Sequence, residues 1–206
     1  MIDRAGVTGP DGPSHHGLFD LAYLRMIPNM AIAAPSTAEE LGGMLETALD
    51  HPGPMAIRYP KATVDAIPHG PFEPIPLGEW EDLQSGSDVL LLAVGRMVPV
   101  AAKAVTLLEE AGISCGLVNA RWVKPLDPRL ADWAAGYERI FTVEDGVVAG
   151  GFGSAVLEAL APAGMAGNVR TLGLPDAFLP PGNPDVLLSE RGLDAEGIAA
   201  HVLAHD

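Results

Sequence analysis

A cluster of prolines decides how this chain is organised. Residues 68–76 read Pro68-His69-Gly70-Pro71-Phe72-Glu73-Pro74-Ile75-Pro76. Proline fixes φ and carries no amide hydrogen, so four prolines in nine residues rule out regular helix and disfavour a central strand. The run is expected to be a linker, taken as residues 67–85. It parts a first segment, residues 1–66, from a second, residues 86–206.

The first segment opens with a Gly- and Pro-rich loop through Gly17. A short helix is expected over Phe19–Arg25 and a strand over Met30–Ala34. Leu41, Met44, Leu45, Ala48 and Leu49 then recur at helical spacing behind a capping box of Ser36 and Glu39. Pro52-Gly53-Pro54 ends that helix, and Met55–Arg58 resumes as strand. This is a β-α-β unit with parallel strands. Two strands and one helix cannot bury a core alone, so the segment either packs on the second or lacks the rest of its sheet.

The second segment alternates strands and helices more fully. Strands are expected at Asp88–Val94, Ile113–Asn119, Arg139–Val143 and Val169–Leu172. Val98, Ala101, Ala102, Val105 and Leu108 mark one helix face, stopped by Gly112. Further helices are expected at Pro128–Ala135, Gly151–Leu160, Asp185–Glu190 and Asp194–Ala204. The pattern is α/β, with an open, mostly parallel sheet covered by helices on both faces.

Composition narrows the function. Hydrophobic residues make up 48% of the chain and charged residues 19%, enough for a packed core. The formal net charge of −15 argues against binding nucleic acid, which needs clustered Lys and Arg. No stretch reaches the ~20 apolar residues that span a bilayer, so no membrane partner is expected. Cys115 is the single cysteine and cannot form an intrachain disulfide, which fits a cytoplasmic setting. It reads as a small buried hydrophobe rather than a nucleophile.

The densest polar cluster is Asp3-Arg4-Ala5-Gly6 followed by Asp11-Gly12-Pro13-Ser14-His15-His16-Gly17. An imidazole suits proton transfer near neutral pH, a carboxylate can orient it, and Arg4 can hold a phosphate by paired hydrogen bonds. The competing reading is an ordinary solvated turn. Arg58-Tyr59-Pro60-Lys61 follows a parallel strand, where ligand sites gather in open α/β sheets. A cation there meets a substrate phosphate or forms a solvated basic turn. Glu144-Asp145-Gly146 through Gly150-Gly151-Phe152-Gly153-Ser154 has the outline of a phosphate-cradling strand–turn–helix. Without the full glycine fingerprint, however, its glycines read better as close helix–strand packing. No second His or Cys pair stands at metal-ligand spacing.

Together these residues resemble a known family. Asp3-Arg4-Ala5-Gly6, Asp11-Gly12 with His15, Gly17 with Phe19-Asp20-Leu21, Tyr23-Leu24-Arg25, Ile27-Pro28-Asn29-Met30, Ala34-Pro35-Ser36 and Arg58-Tyr59-Pro60-Lys61 are similar to the pyrimidine-binding domain of 1-deoxy-D-xylulose-5-phosphate synthases. These are thiamine-diphosphate enzymes of the transketolase superfamily. Lys124-Pro125-Leu126-Asp127, Thr142-Val143-Glu144-Asp145, Gly150-Gly151-Phe152-Gly153-Ser154 and Leu172-Gly173-Leu174-Pro175-Asp176 are similar to that family's carboxyl-terminal domain.

The resemblance implies a transketolase-type transferase. It would condense pyruvate, with loss of CO₂, with D-glyceraldehyde 3-phosphate, feeding isoprenoid, thiamine and pyridoxal synthesis. It makes Asp11 and His15 the catalytic residues and Arg4 and Lys61 the binders of substrate phosphate. Lys61 stands where some members carry Arg, keeping the charge but losing the planar fork. His16 is given no role. Thiamine diphosphate and Mg²⁺ belong to the full enzyme. The chain contains no Gly-Asp-Gly, and the family's activating glutamate lies upstream of Asp3. No cofactor or metal ligand is therefore assigned here, and the chain alone is expected to be inactive. Association is expected, either as a homo-oligomer or with a missing amino-terminal portion. Two other readings share this architecture: a non-catalytic dimerisation module, and part of a β-type subunit of an oxo-acid dehydrogenase.

Overall fold

A computed structural model describes residues 1–63 and 70–205. The elements run, in order, α1 (Asp20–Arg25), β1 (Ala31–Ala33), α2 (Ala38–Asp50), β2 (Met55–Ile57), β3 (Glu81–Gln84), β4 (Val89–Ala93), α3 (Met97–Glu110), β5 (Cys115–Asn119), β6 (Trp122–Lys124), α4 (Leu130–Gly136), β7 (Arg139–Val147), α5 (Phe152–Leu160), β8 (Val169–Leu174), α6 (Pro184–Ser189) and α7 (Ala195–Leu203).

The larger sheet has the order β3-β5-β4-β7-β8. Strands β5, β4, β7 and β8 are parallel, and β3 pairs antiparallel at the edge. Alternate residues of β4 point to opposite faces, as strand geometry requires. Val89, Leu91 and Ala93 enter a core with α3, α6 and α7. Leu90 and Leu92 enter a second core with α4, α5 and the first segment's strands. Both faces are thus covered, the condition under which parallel strands are apolar throughout.

The first segment's sheet is completed by the second. It has the order β2-β1-β6, with β1 and β2 parallel and β6 antiparallel to β1. Short β6 lies just beyond β5, and its Lys124 Nζ donates to the carbonyls of Arg25 (2.9 Å) and Ile27 (2.7 Å) behind α1. A cation there meets the negative end of the helix. Ile32, Ala33, Met44, Ala56 and Ile57 pack in one core with Leu90, Leu92, Trp122 and Phe152.

Several expectations change in detail. The α2 cap is Thr37, whose hydroxyl accepts from the Glu40 amide at 3.1 Å, while Glu40 reaches back to the Ser36 amide at 2.7 Å. The box expected of Ser36 and Glu39 is displaced by one residue. On α3 the inward face uses Ala104, and Ala102 is exposed. In the stretch expected to be linker, residues 67–69 lie outside the described residues, as do 64–66 of the first segment. The end of that stretch is structured: it carries β3 and the fully buried Trp80. The Trp80 amide donates to Asp127 at 2.6 Å and its indole to the Trp122 carbonyl at 2.8 Å.

Because β6 and most of the shared core come from elsewhere, residues 1–66 expressed alone should not fold. Circular dichroism and amide dispersion should report a largely unstructured peptide. A well-dispersed spectrum would show that the segment is self-sufficient.

Candidate anion-binding loop

The order of the larger sheet reverses at β4, whose neighbours are β5 on one side and β7 on the other. Crevices at the carboxyl ends of such strands are the usual ligand sites. Here the first segment enters that position. The amide of Val147 donates to the Leu18 carbonyl at 2.8 Å, and Arg58, one residue beyond β2, reaches Asp145 of β7.

Arg58 is fully buried. Its Nε donates to both oxygens of Asp20 (3.0 and 2.9 Å), and Nη1 donates to Asp145 at 2.5 Å. The arginine is therefore an internal ion partner, not the phosphate-seeking cation that its place after a strand allowed. Burial raises the Asp20 pKa above its usual value against the lowering pull of Arg58.

Glu144 decides the glycine turn in favour of the packing reading over the phosphate one. Its two carboxylate oxygens accept the amides of Phe152 (2.9 Å) and Gly153 (2.8 Å) at the start of α5. The amides that would receive a phosphate are filled by the protein's own carboxylate. A side-chain carbon at Gly151 would collide with Glu144, and one at Gly153 with Thr142 and Thr171, so close packing explains these glycines. Cys115 is a buried free thiol, pushed up to about 12 by burial.

The four residues assigned by resemblance share one exposed rim. Lys61 Nζ pairs with Asp11 at 2.9 Å. His15 Nδ1 lies 3.2 Å from the Asp11 carbonyl and 3.1 Å from the Ser14 hydroxyl. With Nδ1 protonated toward that carbonyl, Nε2 keeps its lone pair for an incoming proton. Among the described residues Nε2 has no hydrogen-bond partner, and neither has the Arg4 guanidinium. The Lys61 hydrogen bond and charge, helped by the charges of His15 and Arg4, hold the Asp11 carboxyl below its usual value. Lys61 is thus paired with a catalytic candidate, a contact that spacing in sequence did not reveal.

Beneath the rim the loop is held internally. His16 is buried, its Nδ1 accepting the Thr8 amide at 3.0 Å and its Nε2 facing the Pro180 carbonyl at 3.3 Å. Adjacent histidines are therefore placed differently, one outward on the exposed rim and one buried within the loop. Arg96 Nη1 donates to the Val7 carbonyl at 3.4 Å. Among the described residues no group of three or more His, Cys, Asp or Glu is placed to hold a metal ion. No helix among them is long and apolar enough to cross a membrane.

Doubly anchored parallel strands, an outward loop of mixed charge and the shared small sheet define a class. The transketolase pyrimidine-binding domain family matches residues 1–65, and the transketolase C-terminal domain family matches residues 78–198. The chain belongs to the transketolase family. Within it, the chain is 48% identical over 198 residues to the 1-deoxy-D-xylulose-5-phosphate synthase of Aquifex aeolicus, covering 96% of this chain and 32% of that protein. It is 49% identical over 205 residues to the same synthase from Pelotomaculum thermopropionicum, covering 98% and 32%. The chain therefore spans about a third of the length of the curated relatives it matches. Among solved structures it is similar to a split-gene transketolase described as an inactive beta4 tetramer, with a TM-score of 0.84 and 31% identity over 98% of this chain and 64% of that one. A transketolase mutant from Pichia stipitis shares the fold at a TM-score of 0.73 and 18% identity, over 98% of this chain and 29% of that one.

The buried carboxylate predicts a pH response. Desolvation lifts Glu144 to about 7 from 4.5, against the lowering pull of the two amides and Arg58, with Asp145 adding a small upward push. A folded-state pKa above the unfolded one stabilises the fold below the unfolded value and is lost as pH rises through the folded value. Urea unfolding should therefore show stability falling between pH 5 and pH 8, by at most about 3 kcal/mol. In Glu144→Gln this slope should flatten. An unchanged slope would place the titration elsewhere.

Proposed function

We propose that this chain is the substrate-facing portion of a thiamine-diphosphate-dependent 1-deoxy-D-xylulose-5-phosphate synthase, acting on pyruvate and D-glyceraldehyde 3-phosphate. One observation carries the reading: Arg4, Asp11, His15 and Lys61 meet on a single exposed rim, with Arg4 and His15 Nε2 unengaged among the described residues. Relatives of 46–49% identity that carry this activity's name support it.

In this reading Arg4 holds the aldehyde substrate's phosphate through paired N–H donors, and Lys61 adds a point charge. His15 moves a proton at Nε2, its ring fixed by the bond from Nδ1 to the Asp11 carbonyl. The Asp11 carboxylate lies ready to accept a substrate hydroxyl. The chain carries no Gly-Asp-Gly, and among its described residues no group of three or more His, Cys, Asp or Glu is placed to form a Mg²⁺–diphosphate site. We place that site in a portion outside this chain, where the cofactor would supply the electron sink. The isolated chain is then inactive and self-associating, in a cytoplasmic setting. The tetramer description of the split-gene relative favours that behaviour.

Two measurements test the proposal. Calorimetric titration of the isolated chain with thiamine diphosphate and Mg²⁺ should show no tight site, whereas one tight site per chain would reject the division of labour. A fusion to the amino-terminal two thirds of the Aquifex relative should be active. In it, His15→Ala should lower turnover by roughly 10²–10⁴-fold, and Arg4→Ala should raise the KM for D-glyceraldehyde 3-phosphate by about 10- to 100-fold. Unchanged kinetics in both variants would reject these roles.

A further inference from the structure

Arg58 carries more than its two carboxylates. Its remaining nitrogen, Nη2, donates to the Gly17 carbonyl at 3.0 Å. That carbonyl also accepts the Gly6 amide at 2.9 Å. The Gly17 amide in turn donates to the carbonyls of Arg4 (3.0 Å) and Gly6 (2.9 Å). Gly17 is thus the point where the two arms of the loop cross. One arm carries Arg4 and the other carries Asp11 and His15.

The crossing is tight. A side-chain carbon at Gly17 would press on the Arg4 carbonyl, and one at Gly6 would meet the Asp145 carboxylate. Arg4 itself sits at φ 59, in the left-handed region that residues with a Cβ rarely adopt. Such a conformation persists only where its surroundings enforce it. The enforcing contacts are the Gly17 amide on the Arg4 carbonyl and the Ala5 amide on the Tyr59 carbonyl at 3.0 Å. Only a guanidinium can serve Asp20, Asp145 and the Gly17 carbonyl together, because its donors form a rigid planar fork.

We propose that Arg58 is the positioning residue of this loop: braced on Asp20 and Asp145, it holds the Gly17 carbonyl and so sets the spacing of Arg4 and His15 for a phosphate-bearing substrate. The carboxyl-terminal unit thereby shapes the site without touching the substrate. The inference rests on the phosphate reading of the loop given above.

The test uses the whole chain and inorganic phosphate as the probe, with NMR following the Arg4 and His15 side chains and the Gly6 and Gly17 amides. In Arg58→Lys and in the near-isosteric Asp145→Asn, phosphate should bind roughly tenfold or more weakly. The Gly6 and Gly17 amides should exchange faster while those of β4 and β7 stay protected. In Arg58→Gly, added guanidinium ion should restore phosphate affinity, which general stabilisation by salt would not do for the lysine variant. Phosphate binding that is unchanged in both Arg58→Lys and Asp145→Asn overturns the role of Arg58 alone. Loss of protection in β4 and β7 equal to that at Gly17 marks a merely structural arginine and also overturns it. Failure of the unaltered chain to bind phosphate overturns the phosphate reading itself, and the positioning claim with it.

Discussion

Arg58, Asp20 and Asp145 form the contact on which the arrangement depends. A guanidinium fully removed from water is tolerable only with its hydrogen bonds complete. Here the three members of the set come from three places in the chain: the end of β2, the start of α1 and the end of β7. Removing one member of such a buried set costs about 3–5 kcal/mol, because the others are left charged and unpaired. The ion pairs therefore dictate where the first segment must sit on the second, more stringently than apolar packing, which tolerates small slips.

Strand β6 imposes the same union from the other direction. Its pairing with β1 gives the small sheet a third strand, and Lys124 on it neutralises the end of α1. The two family domains are distinct in sequence, yet they share a sheet and a core. The loop between Arg4 and Gly17 lies over this seam. Its backbone is pinned from beneath by Arg58, His16 and Arg96, and the side chains of Arg4, Asp11 and His15 stand outward. A fixed backbone with outward side chains is the arrangement a preorganised binding site needs, since little freedom remains to be lost on binding.

Much of the fold is legible in the sequence. Strands β4, β5 and β8 and helices α2, α3, α5 and α7 announce themselves through periodicity and caps, which are local properties. Strands β3 and β6 were missed because each is short and is made a strand by its partner. Glu81–Gln84 is exposed along its whole length and has no apolar alternation to read. The polar rim was found as a cluster of residue types, and its assigned roles came from resemblance. The division between His15 and His16 was not legible, because the two are neighbours in sequence and differ only in what surrounds them. The sequence left Arg58 open between a phosphate contact and a solvated basic turn for the same reason, and neither holds, because its partners lie 38 and 87 residues away.

The sequence by itself determined the α/β class and the set of side chains available for chemistry, because propensity, patterning and residue identity are local quantities. The tertiary structure alone decided which charges are spent inside and which remain on the rim. That choice turns on desolvation and on partners distant in the chain, and neither exists until the two segments close on each other.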